Sequence, residues 1–96
     1  MKQIERIAYM EQILDKATEV VSSLSEALEK YSAIQDKLQE LISYYSSERW
    51  RQDFDDDSAG KIPSNLKRGV LSEDAVYNLL ADITDLKEQL KVLANK

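Results

Sequence analysis

From Arg6 to Tyr45 the chain holds a single apolar phase, and that phase constrains what it can fold into more than any other feature. With Ile7 as heptad position a, the a positions are Ile7, Leu14, Val21, Leu28, Gln35 and Ile42. The d positions are Met10, Ala17, Leu24, Tyr31, Leu38 and Tyr45, and g adds Arg6, Ile13, Val20, Ala27, Ile34 and Leu41. Sixteen of these 18 places are apolar or Tyr, against four of the other 22 in the span, which is the period of an amphipathic helix. Three apolar positions per heptad make a stripe wider than the a/d seam of a two-stranded coiled coil, so it asks for neighbours on two sides, as in a bundle. Gln35 is the polar exception on the stripe. It reads either as a tolerated polar residue or as a buried amide that fixes register.

After Tyr45 the phase breaks, and Trp50 and Phe54 form an i, i+4 apolar pair on a new face. The first helix is therefore expected to run from about residue 3 to about 54. A second helix is expected over about 73–94. Ser72 reads as its N-cap, Glu73 and Asp74 suit its positive end, and Val76, Leu79, Ile83, Leu86, Leu90 and Leu93 form its apolar seam. Between them lies a connector, 55–72, punctuated by Gly60, Pro63, Ser64 and Gly69, in which Ser64 through Arg68 could form one helical turn closed by Gly69. The expected architecture is all-α: one domain, 1–96, built as a helical hairpin with the second helix antiparallel to the first.

That hairpin leaves a mismatch of lengths. A helix over 3–54 is roughly 75 Å long and one over 73–94 about 33 Å. The shorter can cover only the C-terminal half of the longer. Ile7, Met10, Ile13, Leu14, Val20, Val21, Leu24 and Leu28 would stay open in a monomer, forgoing on the order of 10–20 kcal/mol as an upper bound. The economical remedy is a homodimer in which two hairpins pair into a bundle, with these residues at the interface. The competing remedy is a break at Ser22-Ser23-Leu24-Ser25, where Ser23 and Glu26 could form a capping box and fold the chain into a monomeric three-helix bundle. The apolar phase passes through these serines undisturbed, with no Gly or Pro, which favours continuity.

Composition removes several function classes. The formal net charge is −5, and both segments flanking the connector are acidic, so no nucleic-acid footprint crosses the fold. There is no Cys, hence no disulfide or thiol chemistry, as expected of a cytoplasmic protein. There is no His, which excludes serine triads and His-based metal sites. The opening MKQIERIAYMEQIL interrupts its apolar residues with charges every few positions, unlike a signal peptide. No apolar run approaches 18 residues, so no membrane partner is expected.

The connector WRQDFDDDSAGKIP carries the only unusual chemistry. Asp53, Asp55 and Asp57 satisfy positions 1, 3 and 5 of a calcium loop, but Ser58 stands where the turn glycine belongs and Ser64 where the bidentate Glu belongs. Starting at Asp55 instead restores Gly60 but puts Ala59 and Leu66 at ligand positions. A phosphate loop fails as well, with Asp55 and Ile62 at its glycine and hydroxyl positions. The plainest reading is a turn: aspartates solvated past a helix end, with Ile62, Leu66, Val70 and Leu71 folding back over Trp50 and Phe54. No cofactor or metal is expected, with Asp53, Asp55, Asp56 and Asp57 kept as the candidates for a divalent-binding alternative. Trp50, Lys61, Lys67 and Arg68 are the candidate surface for an unidentified protein partner.

Trp50 with Asp53-Phe54, then AGKIP at 59–63 and LKRGVLSEDAVYNLL at 66–80, resembles an uncharacterised family of short bacterial proteins, a domain of unknown function frequent in Gram-positive bacteria. The resemblance spans the chain and implies a small cytosolic helical protein without supplying an activity or a site. Helical nucleotide pyrophosphohydrolases hold magnesium with carboxylate pairs at the spacing of Glu26 with Glu29 and Asp82 with Asp85. Glu26 and Glu29 lie opposite the apolar stripe and cannot converge in a bundle core. The expected function is accordingly non-catalytic: a helical interaction or scaffold module.

Overall fold

The computed structural model describes residues 2–96. It is all-α, with no strand among the described residues: α1 spans Gln3–Ala33, α2 Gln35–Tyr45, α3 Glu48–Ser58, a short 3-10 helix Gly69–Leu71, and α4 Ala75–Ala94. The chain divides into two compact units, the first reaching Leu38 and the second starting at Gln39.

In the first unit α1 passes through Ser22, Ser23 and Ser25 without interruption, so the alternative break there does not form. Thr18 turns its hydroxyl back to the Leu14 carbonyl at 2.7 Å, which lets a β-branched polar residue sit inside the helix. Lys30 reaches Glu26 at 3.5 Å and Lys16 reaches Glu19 at 3.9 Å, exposed pairs worth a few tenths of a kcal/mol each. The helical assignment lapses only at Ile34, whose N–H still bonds Lys30 and whose carbonyl accepts from Leu38. Gln35 is exposed here and donates its side-chain amide to the Tyr31 carbonyl at 3.0 Å. It serves its own helix, which fits the reading of a tolerated polar residue on the stripe.

The helix expected to reach residue 54 ends at Tyr45 instead. Ser47 is the reason. Its backbone is extended, its hydroxyl donates to the Tyr44 carbonyl at 2.6 Å, and its oxygen accepts from the Trp50 N–H at 3.3 Å. One serine thus closes α2 and caps α3. The loss of apolar phase after Tyr45 marks this new helix, not a second face on the old one.

The core of the second unit is small: Trp50, Leu71 and Val76 are buried. The Trp50 ring stacks on Phe54 at 5.2 Å and meets the edge of Tyr45 at 5.3 Å. Its indole N–H donates to the Val70 carbonyl at 2.9 Å, satisfying the one polar atom that burial would otherwise strand. Ile62 and Val70 are half-buried around this cluster as expected, whereas Leu66 is 56% exposed. Gly69 opens the 3-10 helix; it does not close a turn over 64–68. Ser72 accepts from the N–H groups of Asp74 and Ala75 at 3.2 Å each and so braces the turn that leads into α4, which begins at Ala75 with Asp74 at the N-cap position, two residues later than expected. Tyr45 adds a bond from its hydroxyl to the Glu73 carbonyl at 3.0 Å, tying the end of α2 to that entry.

Candidate interaction surface

The eight seam residues of α1 that a monomer was expected to leave open are open. Ile7, Met10, Ile13, Leu14, Val20, Val21, Leu24 and Leu28 are each 46–64% exposed, and no residue of α1 is buried. A soluble monomer seldom leaves a contiguous apolar patch beyond a few hundred Å². This face runs for about six turns of helix, with Ile4 beyond one end and Ile34 beyond the other also exposed.

The connector candidates fare differently. Asp55, Asp56 and Asp57 lie inside α3, not past its end. Successive carboxylates two residues apart on a helix point about 200° from one another, so Asp53, Asp55 and Asp57 do not converge on a point. Among the described residues no group of three or more acidic side chains is placed to hold a metal ion. Asp53 accepts from the Tyr44 hydroxyl at 2.6 Å, Asp56 from the Gln52 amide at 3.0 Å, and Asp57 is paired with Arg68. Acidic residues at the negative end of a helix are unfavourable, and the chain offsets this locally. Arg68 pairs with Asp57 and also donates to the Pro63 and Leu66 carbonyls. Lys61 stands 4.0 Å from Asp56. The end of α3 closes in a Schellman motif: Lys61 N–H bonds the Asp56 carbonyl, Gly60 N–H bonds that of Asp57, and Gly60 takes φ of 76°.

Two of the four residues expected at a partner surface are therefore internal to the second unit. Trp50 is only 8% exposed and is its central ring. Arg68 is held by three acceptors as a latch on the connector. Lys61 and Lys67 remain exposed.

Tyr44, which lies off the apolar stripe, is half-buried against Asp53. Its pKa is pushed up to about 12, first by burial and then by the bond to, and the charge of, the Asp53 carboxylate. The folded state favours the neutral phenol, so this contribution is complete below pH 10 and is lost as pH climbs through 12. Urea midpoints measured from pH 9 to 12 should fall more steeply in the native chain than in Tyr44→Phe, which shares every other titrating group. Parallel curves would remove the pair from the stability of the second unit.

A second open face was not foreseen. Val76 is buried and Ile83 half-buried, but Leu79, Leu86, Leu90 and Leu93 of α4 are 41–60% exposed. The seam was legible; that its distal half would stay uncovered was not, because spacing identifies an apolar face without naming what covers it. Glu26, Glu29, Asp82 and Asp85 are all exposed. No helix among the described residues is long and apolar enough to cross a membrane.

Compared with known proteins, residues 7–92 match the model of a family described as Domain of unknown function (DUF4298). No curated protein and no solved structure matches the chain.

Proposed function

We propose, from the premise that the chain belongs to the DUF4298 family and takes no activity from it, that this is a non-catalytic helical interaction module whose first act is to bind a second copy of itself. The observation that carries this reading is the bare seam of α1: eight large apolar side chains about half exposed on a helix that buries nothing. Helices in proteins owe most of their stability to the packing of such a face, and one that stands alone in water is marginal. Closing the seam against an equal one gains on the order of 10 kcal/mol per copy as an upper bound. That exceeds the several kcal/mol lost when two bodies associate.

The connector supports an interaction role without adding a reactive centre. The carboxylates of Asp53, Asp56 and Asp57 are engaged by Tyr44, by Gln52 and Lys61, and by Arg68, which favours a structural use of these aspartates over the divalent-binding alternative. Light scattering at micromolar concentration tests the proposal. The expected mass is twice that of the 11.0 kDa chain. A mass that stays at one chain up to high micromolar concentration would refute self-association and leave the seam to a different protein.

A further inference from the structure

We infer that the two copies pair through α1 in antiparallel sense, with the two-fold axis beside Ala17 and Val21, a step that rests on the self-association proposed above. In this register Ile7 lies level with Tyr31 of the second copy, Met10 with Leu28, Leu14 with Leu24, and Ala17 with Val21. The overlap then runs from Ile4, where the exposed apolar residues begin, to Ile34, where the regular helix lapses. The open face is used along its whole length, with the g positions Ile13, Val20 and Ala27 at the edge of the pair. A face of this length closing on itself buries on the order of 800 Å² per copy, the size of a standard stable interface.

Three features favour this sense over a parallel, in-register pair. A parallel pair sets every residue against itself, so Ala17 meets Ala17 and leaves the thinnest possible layer, while Tyr31 meets Tyr31 in the thickest. The antiparallel register puts Val21 over Ala17 and Ile7 over Tyr31, which evens the layers, and evenly filled cores avoid both voids and strain. A parallel pair also carries Gln35 onto Gln35 at the seam. One of its two N–H donors is already committed to the Tyr31 carbonyl of its own helix, which narrows the geometries in which it can pair with its counterpart. Finally, antiparallel helices set unlike ends of their dipoles side by side.

The charged edges of the stripe tolerate the arrangement. In this register Lys16 comes level with Ser22 of the second copy and Lys30 with Ala8. No lysine faces a lysine.

The chain has no cysteine, so single introduced thiols report on direction cleanly. Leu14→Cys and Leu24→Cys are made separately and oxidised alone and as an equimolar mixture, with emission of the single buried Trp50 confirming that the second unit is folded. The expected result is a mixed disulfide that forms at least tenfold faster than either homodisulfide. In the proposed register like positions are about 15 Å apart along the axis, beyond the roughly 7 Å over which a disulfide can close. Homodisulfides from each variant alone, with none favoured in the mixture, would mean a parallel pair and overturn the inference while self-association stands. A native chain that is dimeric by light scattering but gives no disulfide in any of the three samples overturns the register. A monomeric native chain overturns both readings.

Discussion

Replacing Trp50 by alanine is expected to remove about 3–5 kcal/mol from the stability of the second unit, enough to leave it largely unfolded at room temperature. The magnitude follows from what the ring holds. Trp50 stacks on Phe54 within α3, meets Tyr45 at the end of α2, and donates to the Val70 carbonyl in the 3-10 helix. Both α3 and α4 pack on that short helix, whose Leu71 is one of the few other buried residues. Deleting the indole therefore opens a cavity at the meeting point of three segments. Trp50→Phe isolates one part of the effect: a ring remains, but the Val70 carbonyl loses its donor, which should cost about 1–3 kcal/mol. Urea unfolding followed by far-UV ellipticity measures both, since the alanine variant has no tryptophan to report. A loss below about 1 kcal/mol for the alanine variant would show that the aromatic cluster does not hold this unit together.

The sequence made the helical elements legible where one physical signal acted alone. Apolar period sufficed for α1, from Gln3 onward and through the serines, because nothing in that span competes with it. Ser72 was recognisable as the residue that braces the entry to α4 because a serine just ahead of an acidic pair and an apolar seam has few other uses. The return of Ile62, Val70 and Leu71 onto Trp50 and Phe54 was readable because an aromatic pair off the main stripe needs cover.

What escaped the reading were places where two signals opposed each other. At residues 46–47 the phase break was visible, but the i, i+4 pair Trp50 and Phe54 read as a new face on the same helix. The deciding term is a pair of hydrogen bonds from the Ser47 hydroxyl, and sequence does not reveal which serine will take them. The Asp55–Asp57 run was read as non-helical because like charges repel. It is helical because Arg68 and Lys61, distant or just past the helix, supply the counter-charge, and because Gly60 can adopt the left-handed backbone that ends the helix. Trp50 was read both as part of a small core and as part of a partner surface, because the sequence does not show where its indole N–H is spent. Its acceptor is a backbone carbonyl twenty positions away, which carries no side-chain signature.

A double substitution on the α1 seam, Leu14→Glu with Val21→Glu, is expected to weaken self-association by at least a hundredfold. Leu14 is 57% exposed and Val21 64% exposed, so neither supports the core formed around Trp50. Glutamate is a good helix former, so the helix itself is not penalised through propensity. Only the assembled state suffers, by lost apolar burial and by carboxylates forced toward the seam. The dimer contains each substitution twice, so a loss of even ~1 kcal/mol per site sums to about 4 kcal/mol, close to a thousandfold. Gln12→Glu with Ser22→Glu, on the opposite side of the same helix, adds the same charge and should leave the dissociation constant within a few-fold. Sedimentation equilibrium measures the constants, and Trp50 emission should stay native in both variants. A second readout follows from α1 burying nothing within its own chain. Dissociation should take helicity with it, so the ellipticity at 222 nm of the seam variant should fall well below that of the control at equal concentration. Should the seam variant remain dimeric with an unchanged constant, the exposed face of α1 is not where two chains meet, and both its length and its apolar width would need another occupant.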